Sequence, residues 1–498
     1  MTKQHPQSTP ETSPSNGRLT VTTSFPNATI IGYPRIGPDR ELKRATEKYW
    51  RNDRSAEDLL AATTDLRDAT YARLADLGLA KDGYAIPESF SLYDQVLDTA
   101  VALGAIPQRY RGLDGLERYF ALARGTDTLP ALEMTKWFDT NYHYLVPELS
   151  PTSQFGFEDV SKVAEFERAR DNGYLVRPTL VGPVTFLALS KADEDAPGDW
   201  HPLELIDRVT AAYRTVLSAF AEAGAEWIQF DEPALTSDNL DAPRAGLISA
   251  AKAVWSELSR SSERPQILVA LPYGDGSAAA KALADTDVEA IHLDLRRSPA
   301  PDAELTTALA TKTLVAGVVE GRNIWRADLR KAAQTLEALQ QAGITNLSVA
   351  TATSLQHVPI TTSAEQWDDP ALDGALHSWL SFADQKVEEV VLLGKGLTQG
   401  WIAVEDRLVA SDRAITSRAA YEGVIRPEVR KRTASVTSAD TEREDSEVRR
   451  AAQSEVLNLP PLPTTTIGSF PQTPEIRRAR AAHVRGDLTA EQYQEAME

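Results

Sequence analysis

The chain has 498 residues, a formal net charge of -20 at pH 7 and no cysteine. The lack of cysteine excludes disulfides, thiol nucleophiles and thiolate metal sites within it. The acidic balance disfavours nucleic acid as a partner, because phosphate binding needs a basic surface. No apolar run of about 18 residues predicts a membrane span, and the first residues lack the apolar segment of a secretory signal. We therefore expect a cytoplasmic globular protein with no membrane contact.

Residues 1–27 are rich in Pro, Ser and Thr and are predicted to be a disordered tail. Beyond them, β-branched runs alternate with amphipathic stretches, a pattern typical of a parallel α/β sheet. The runs predicted to be strands lie near Thr29–Gly32, Tyr84–Pro87, Leu132–Thr135, Thr179–Gly182, Trp227–Phe230, Ile267–Leu271, Ala290–Leu293, Leu314–Val318 and Leu347–Ala350.

Two α/β architectures fit this alternation. A (β/α)8 barrel needs eight strand–helix units, which is one fewer than the number of predicted strands. We therefore interpret the run at Leu132–Thr135 as a short or irregular element. An open doubly wound sheet would carry a glycine-rich GxGxxG turn after its first strand, and the segment from Gly32 to Gly37 has none. The sequence therefore favours a (β/α)8 TIM barrel over residues 28–395.

The strand signal stops after about Ala371, and a helical, charged linker is predicted over residues 396–463. It ends in a Pro-rich connector, LPPLPTTT. A stretch beginning at Ile31, IGYPRIGPDRELKRA, then returns at Ile467 as IGSFPQTPEIRRARA.

In each copy of this repeat a strand-like start ends in glycine, and a proline followed by an acid opens a helix, which we predict to begin at Pro38 in the first copy. A second, truncated barrel is therefore predicted over residues 464–498, since one strand–helix unit cannot bury a core.

In several sequence motifs the chain resembles the cobalamin-independent methionine synthases. The residues that carry the resemblance run in family order: GYPRIGPDRELKRATEKYW, EMTKWFDTNYHYLVPEL, LVGPVTFL, WIQFDEPAL, GRNIWRADL and TTTIGSFPQTPEIRRAR. The resemblance implies two barrels joined by a linker, and transfer of a methyl group from 5-methyltetrahydropteroyl-triglutamate to L-homocysteine, giving methionine.

The resemblance also implies zinc and no cobalamin as cofactor. It places the zinc ligands and the general acid in the second barrel, after Glu498. The chain alone is then expected to be inactive, with no catalytic or metal-binding residue of its own, and a monomer is expected.

The resemblance places the folate tail at Arg40, Glu41, Leu42, Lys43 and Lys136. The carboxylates of a triglutamate tail suit charge-assisted hydrogen bonds from Lys and Arg at the end of the first strand. Taken alone, the first four residues are more typical of a solvated basic helix face. Lys136 combines a stem among apolar neighbours with a free ammonium.

Two pairs of titratable residues lie on predicted strands. Asp231 and Glu232 invite an acid–base interpretation, but adjacent strand residues point to opposite faces, so an inherited polar network is favoured. His292 and Asp294 share a face. Zinc needs at least three protein ligands, so we interpret them as a hydrogen-bonded pair.

Two further groups of candidate site residues remain. Arg322 and Arg326 fit either an anion site or an ion-paired helix start beside Asp328. The resemblance makes Ile467, Gly468 and Ser469 part of the homocysteine site, at its amino-acid end; structurally they fit a strand-end turn. The rival functions are a standalone folate-polyglutamate-binding or scaffold barrel, and a carboxylate-based barrel hydrolase.

Overall fold

The computed structural model describes residues 24–465, 468 and 472–498. Most of the tail predicted over residues 1–27 lies outside the described residues, as do Ile467 and Ser469 of the predicted amino-acid site. The described chain divides into two compact units, one ending at Val424 and the other running from Ile425 to Glu498. No described helix combines the length and the apolar character that crossing a membrane requires.

The first unit is built on parallel strands separated by helices. The strands are β1 Pro87–Glu88, β2 Met134–Lys136, β3 His143–Leu145, β4 Glu148–Leu149, β5 Arg177–Val181, β6 Lys191–Ala192, β7 Trp227–Asp231, β8 Gln266–Leu271, β9 Ala290–Asp294, β10 Thr313–Val319 and β11 Leu347–Thr351. Seven of them form one sheet in the order β1-β5-β7-β8-β9-β10-β11. Its strands from β5 to β11 are buried almost throughout, as parallel strands covered on both faces must be.

The segment 27–31 closes this sheet into a barrel. Thr29 N donates to Val349 O and Val349 N donates to Asn27 O, both at 2.9 Å, which pairs the segment with β11. On its other side the Thr29 hydroxyl donates to Ala85 O at 2.7 Å, just before β1. The segment is therefore the strand that joins the two edges of the sheet, and the (β/α)8 prediction is confirmed.

The helices of the first unit are α1 Glu41–Trp50, α2 Ala56–Asp76, α3 Gln95–Ala102, α4 Gly115–Arg124, α5 Ser161–Asp171, α6 Pro183–Ala188, α7 Ile206–Glu222, α8 Arg244–Leu258, α9 Ser277–Ala284, α10 Ala303–Leu309, α11 Leu329–Gln341, α12 Pro370–Trp379, α13 Ala383–Gln399 and α14 Glu405–Ala420. In α7 and α11 the apolar residues recur at helical spacing and their stripe is buried. Between α13 and α14 there is no strand, as the loss of the strand signal after Ala371 predicts.

The run at Leu132–Thr135 does not join the barrel. Its last residues enter β2, which pairs antiparallel with β3 to form a hairpin, with Lys136 opposite His143. A short parallel pair, β4 with β6, lies nearby in sequence. The interpretation of this run as the irregular one among the predicted strands therefore holds.

The second unit consists of the helices α15 Pro427–Ala434, α16 Ser438–Thr441, α17 Ser446–Leu457, α18 Pro474–Val484 and α19 Ala490–Met497. None of these helices has a buried residue. The predicted linker and the predicted start of a second barrel both fall partly or wholly in this unit.

Candidate ligand-binding site

A cavity lies at the C-terminal ends of the barrel strands, the end at which (β/α)8 barrels place their ligand sites. Ile31 ends the first strand, Val181 ends β5 and Asp231 ends β7, and all three line the cavity. Tyr273 and Gln356, from the loops after β8 and β11, complete this part of the wall. The cavity is therefore assembled from segments far apart in sequence.

The hairpin β2–β3 covers one side of this cavity. Trp137, which follows β2, lines the cavity and is only 2% exposed. Arg322, from the loop after β10, donates to the two carboxylate oxygens of Asp139 at 2.9 and 3.1 Å and also to its carbonyl. This ion pair fastens the loop of the hairpin to the mouth of the barrel.

The basic stretch after the first strand does not form the helix predicted from Pro38. The helix α1 begins at Glu41, because Gly37 and Arg40 both have left-handed backbones, with φ of 83° and 63°. The Arg40 N–H returns to Gly37 O at 3.1 Å, and the Asp39 N–H donates to the Glu41 carboxylate at 3.1 Å. A tight turn therefore precedes the helix, and the prediction that Pro38 opens it is wrong.

The residues predicted to hold the folate tail divide into buried and exposed ones. Leu42 is 3% exposed and packs into the core, whereas Arg40, Glu41 and Lys43 are exposed. The Lys43 ammonium lies 3.6 Å from the Glu47 carboxylate, across one turn of α1. An exposed pair of this kind contributes little to stability, so the Lys43 ammonium remains available to a ligand. Arg40 is also exposed.

Lys136 lies on the hairpin, away from α1 in sequence. It is exposed and lines a second cavity with Asp139, Arg322 and His357. It makes no hydrogen bond or ion pair within the described part of the chain, although its charge acts on the Asp139 carboxyl. Among the described residues no hydrogen bond or ion pair joins Lys136 to Arg40 or Lys43.

The two adjacent carboxylates of β7 have separate surroundings. Glu232 is 0% exposed and accepts hydrogen bonds from Val184 N at 3.2 Å and Thr185 N at 2.7 Å. Asp231 instead faces the cavity. Burial raises the pKa of each to about 7, and in each case hydrogen bonds offset part of the shift. The carboxylates do not share one cleft, so the hydrolase alternative is not supported.

His292 and Asp294 are both buried, but they do not bond to each other. His292 Nε2 lies 3.0 Å from Thr351 O, whereas the Asp294 carboxylate accepts from Arg296 N at 3.0 Å and Arg297 N at 3.1 Å. The interpretation of the two as a hydrogen-bonded pair is therefore wrong. The His292 side chain reaches β11, whereas Asp294 caps the turn that follows its own strand.

The two arginines of GRNIWRADL also have partners other than the expected one. Arg322 pairs with Asp139, and the Arg326 guanidinium donates to Ser378 O at 2.5 Å. Asp328 instead caps α11 by accepting from Lys331 N at 2.9 Å. Of the two alternatives, the ion-paired helix start beside Asp328 is therefore wrong, because both arginines reach across to other segments.

A buried polar network inside the barrel is not evident from the sequence. Arg177 of β5 is fully buried and donates to Gln229 Oε1 at 2.9 and 3.1 Å and to Ile30 O at 2.9 Å. Gln229 Nε2 then donates to Ile31 O at 3.0 Å and to Asp231 Oδ1 at 2.7 Å. The signal for it was an Arg and a Gln inside otherwise apolar strand sequences, VRPTLVG and WIQFDEP.

The family model described as "Cobalamin-independent synthase, N-terminal domain" matches residues 27–343. A second model, "Cobalamin-independent synthase, Catalytic domain", matches residues 462–498. The first match covers more than half of the chain. The chain belongs to the cobalamin-independent synthase family. The resemblance drawn from the sequence motifs is thereby confirmed.

Relatives within this synthase family share close sequence similarity with the chain. The 5-methyltetrahydropteroyltriglutamate–homocysteine methyltransferase of Mycobacterium tuberculosis is 47% identical over 468 residues, which is 94% of this chain and 60% of that protein. The protein of that name from Streptomyces coelicolor is 45% identical over 477 residues, again 94% and 60%. The chain thus spans about three fifths of the length of these relatives.

A solved structure supports the barrel fold. The putative vitamin-B12 independent methionine synthase of Listeria monocytogenes superposes with a TM-score of 0.51, covering 75% of this chain and 98% of that one. Only 13% of the aligned residues are identical. This likeness shows the fold alone.

The zinc that the family resemblance implies has no fitting site among the described residues. They contain no group of three or more His, Asp or Glu side chains able to hold a metal ion, and the whole sequence has no cysteine. His292, the most buried imidazole, is held neutral by burial, which lowers its pKa to about 4, but it has no second ligand group beside it. No step of a reaction is therefore assigned to zinc on these residues.

The predicted amino-acid site is described only at Gly468, since Ile467 and Ser469 lie outside the described residues. Gly468 has a left-handed backbone with φ of 105°, a conformation that glycine adopts without the steric penalty of a side chain. The helix α18 follows, with Thr473 accepting from Ile476 N at 3.4 Å and Pro474 in its first turn. Here, unlike in the first copy, the proline does open the helix.

Proposed function

We propose that this chain is part of a methyltransferase that moves a methyl group from 5-methyltetrahydropteroyl-triglutamate to homocysteine and so forms methionine. The observation that carries this proposal is 47% identity over 94% of the chain to relatives of that name. We place the enzyme in the cytoplasm as a monomer. Zinc belongs to the proposal as the metal of the family enzyme, and the described residues take no part in holding it.

Within this function the barrel would bind the glutamate tail of the folate. A triglutamate tail carries several carboxylates, and α1 offers two exposed cations, Arg40 and Lys43, at its N-terminal end. At this end of α1 the Leu42 N–H already donates to Ile36 O at 3.2 Å and Glu41 adds a negative charge, so the two cations, and not the helix terminus, would hold the tail. Lys136 would supply a further cation from the hairpin.

Leu42 and Glu41 would contribute by position rather than by direct charge. The buried Leu42 side chain anchors the first turn of α1 to the core. The Glu41 carboxylate accepts from Asp39 N, which fixes the tight turn and sets the direction of Arg40. Ile467, Gly468 and Ser469 are proposed to contact the amino-acid end of homocysteine.

Calorimetric titration of the chain with methyltetrahydrofolate triglutamate tests the tail site. We expect Lys43→Ala and Lys136→Ala each to weaken binding about three- to thirtyfold, as loss of one charge-assisted contact would. Lys48→Ala is the matched control, because Lys48 is exposed near the other end of α1. Equal binding by wild type and all three variants would overturn the placement of the tail.

A further inference from the structure

The second cavity, which Lys136 lines, lies between the hairpin β2–β3 and the loops that follow β10 and β11. It has a volume of about 430 Å³. Every residue that lines it has a polar side chain, and three of them, Lys136, Asp139 and Arg322, carry a charge at neutral pH. Lys136 and Asp139 are exposed, so a dissolved ligand can reach the cavity.

The charges in this cavity are those of an anion site that is already partly occupied. The Arg322 guanidinium donates to both carboxylate oxygens of Asp139, at 2.9 and 3.1 Å, which is the two-pronged geometry in which arginine binds a free carboxylate. The charge of Lys136 also acts on the Asp139 carboxyl, and within the described chain the Lys136 ammonium has no partner of its own. His357 adds no positive charge, because burial lowers its pKa to about 4.

The ion pair between Asp139 and Arg322 can open without unfolding either side. The Asp139 side chain is 64% exposed, so its pairing contributes little to stability. Arg322 is positioned by a second contact, since its guanidinium lies 5.9 Å from the centroid of the Tyr273 ring. The hairpin keeps its own contacts, because Trp137 is buried and its carbonyl accepts from Thr140 Oγ1 at 2.6 Å. Another carboxylate can therefore take the place of Asp139.

We propose that Asp139 stands in for a ligand carboxylate on Arg322 and is displaced when the glutamate tail binds. The ligand carboxylate then lies between Lys136 of the hairpin and Arg322 of the barrel loop, which makes Arg322 a further tail-binding residue. Asp139 competes with the ligand for this position and so lowers the affinity of the site for anions. The inference rests on the proposed function, because it takes Lys136 to be part of the tail site.

Two substitutions that break the same ion pair should change binding in opposite directions. Asp139→Asn removes the competing charge and leaves Arg322 free, so the tail should bind about two- to fivefold more tightly at low salt. Arg322→Ala removes the cation itself, so the tail should bind about three- to thirtyfold more weakly. If the ion pair served only to hold the hairpin in place, both substitutions would weaken binding.

Calorimetric titration of the whole chain with a γ-linked glutamate tripeptide at low salt tests the proposal. The tripeptide has the carboxylates of the tail without the folate ring, so it reports the anion site by itself. Asp127→Asn is the matched control, because Asp127 is an exposed aspartate shortly before the hairpin whose side chain makes no hydrogen bond or ion pair within the described residues. It removes the same charge from an acidic protein and should leave the affinity unchanged.

Tighter binding by Asp139→Asn, without a gain from Asp127→Asn, is the decisive result, because a loosened hairpin alone would weaken binding. Arg322→Lys keeps the charge and loses the two-pronged geometry, so its affinity should fall between those of wild type and Arg322→Ala. Unchanged or weaker binding by Asp139→Asn would overturn the proposal, as would an equal gain from Asp127→Asn. Failure of the tripeptide to bind either the wild type or Asp139→Asn would overturn it too.

A parallel titration with methyltetrahydrofolate triglutamate separates this inference from the proposed tail site. If Lys43→Ala leaves binding of that ligand unchanged while Asp139→Asn and Arg322→Ala shift tripeptide binding in opposite directions, the placement of the tail on α1 fails and the exchange at Arg322 stands. If Lys43→Ala weakens binding and Asp139→Asn gives no gain, the exchange alone fails.

Discussion

The helices of the barrel and the helices after Val424 begin and end with the same local sequence signals, but only the barrel buries its residues. All five residues of β9 are buried, and the strand is paired on both sides by β8 and β10. Helix α19 has a complete capping box between Thr489 and Gln492, yet it buries nothing. Local signals are therefore enough to begin and end a helix, whereas burial requires partners distant in sequence.

This contrast explains why the candidate sites lie where they do. At the mouth of the barrel, rigid strands hold polar side chains such as Asp231 at fixed positions, and the hairpin covers them. In the segment 425–498 the charged side chains point to solvent or pair with near neighbours, as Arg478 does with Glu475. Only the barrel provides an enclosed, preorganised surface within the described residues.

The largest expected difference between the two regions comes from removing one arginine in each. Arg177→Ala leaves Gln229 Oε1 and the carbonyl oxygen of Ile30 without their buried donor. We expect a loss of about 3–5 kcal/mol in the free energy of unfolding, since each buried acceptor left without a donor costs about 1–3 kcal/mol. Arg478→Ala should leave that free energy unchanged, since its ion pair is exposed. Urea denaturation measures both, and similar losses would contradict the contrast.

A smaller effect should appear as a dependence of stability on pH. Burial raises the pKa of Glu232 from 4.5 to about 7, so the folded state holds this proton more tightly than the unfolded state. The resulting stabilisation is complete below pH 4.5 and is lost as the pH rises through 7.

Glu232→Gln cannot ionise and lacks this loss. Between pH 5 and pH 8 the wild type should therefore lose about 2–3 kcal/mol relative to this variant, measured by urea denaturation at each pH. The other titrating groups are common to both proteins and cancel. Glu57→Gln, at an exposed position in the first turn of α2, keeps Glu232 and should therefore lose stability with pH in parallel with the wild type. A parallel decline of Glu232→Gln and wild type would refute the assignment.

The smallest effect is expected where the barrel meets solvent. Arg322→Ala removes the ion pair to Asp139, whose side chain is 64% exposed, so we expect about 1 kcal/mol or less in global stability. The local effect should be larger. The hairpin amide of Trp137, which donates to Tyr142 O at 2.8 Å, should exchange with solvent faster. Hydrogen exchange read residue by residue measures this, and unchanged exchange would show that Arg322 does not fasten the hairpin.

The sequence predicted much of the barrel because buried parallel strands leave a clear signal of β-branched runs. Where it failed, the deciding contacts were distant in sequence. Arg177 and Gln229 are brought together by the pairing of β5 with β7, which neither strand sequence states. The start of α1 was misplaced because the left-handed Arg40, a non-glycine residue, gives no sequence signal for that conformation.

The candidate tail residues illustrate the same limit. The sequence identified Arg40, Lys43 and Lys136 as cations near strand ends, and each is exposed in the structure. The nearby Arg35, which the resemblance did not select, differs from them because its guanidinium is taken up by the carbonyl oxygens of Ser91 and Leu92 at 3.2 and 3.3 Å. Whether a cation is free depends on such long-range partners, which the spacing of charges does not reveal.

The most direct test of the proposed tail site compares two ligands that differ only in the tail. Methyltetrahydrofolate triglutamate and the monoglutamate should be titrated against the wild-type chain by calorimetry at low and at physiological salt. We expect the triglutamate to bind at least tenfold more tightly at low salt, and the advantage to shrink as salt screens the exposed cations. Equal affinities for the two ligands at both salt concentrations would contradict a tail site on Arg40, Lys43 and Lys136.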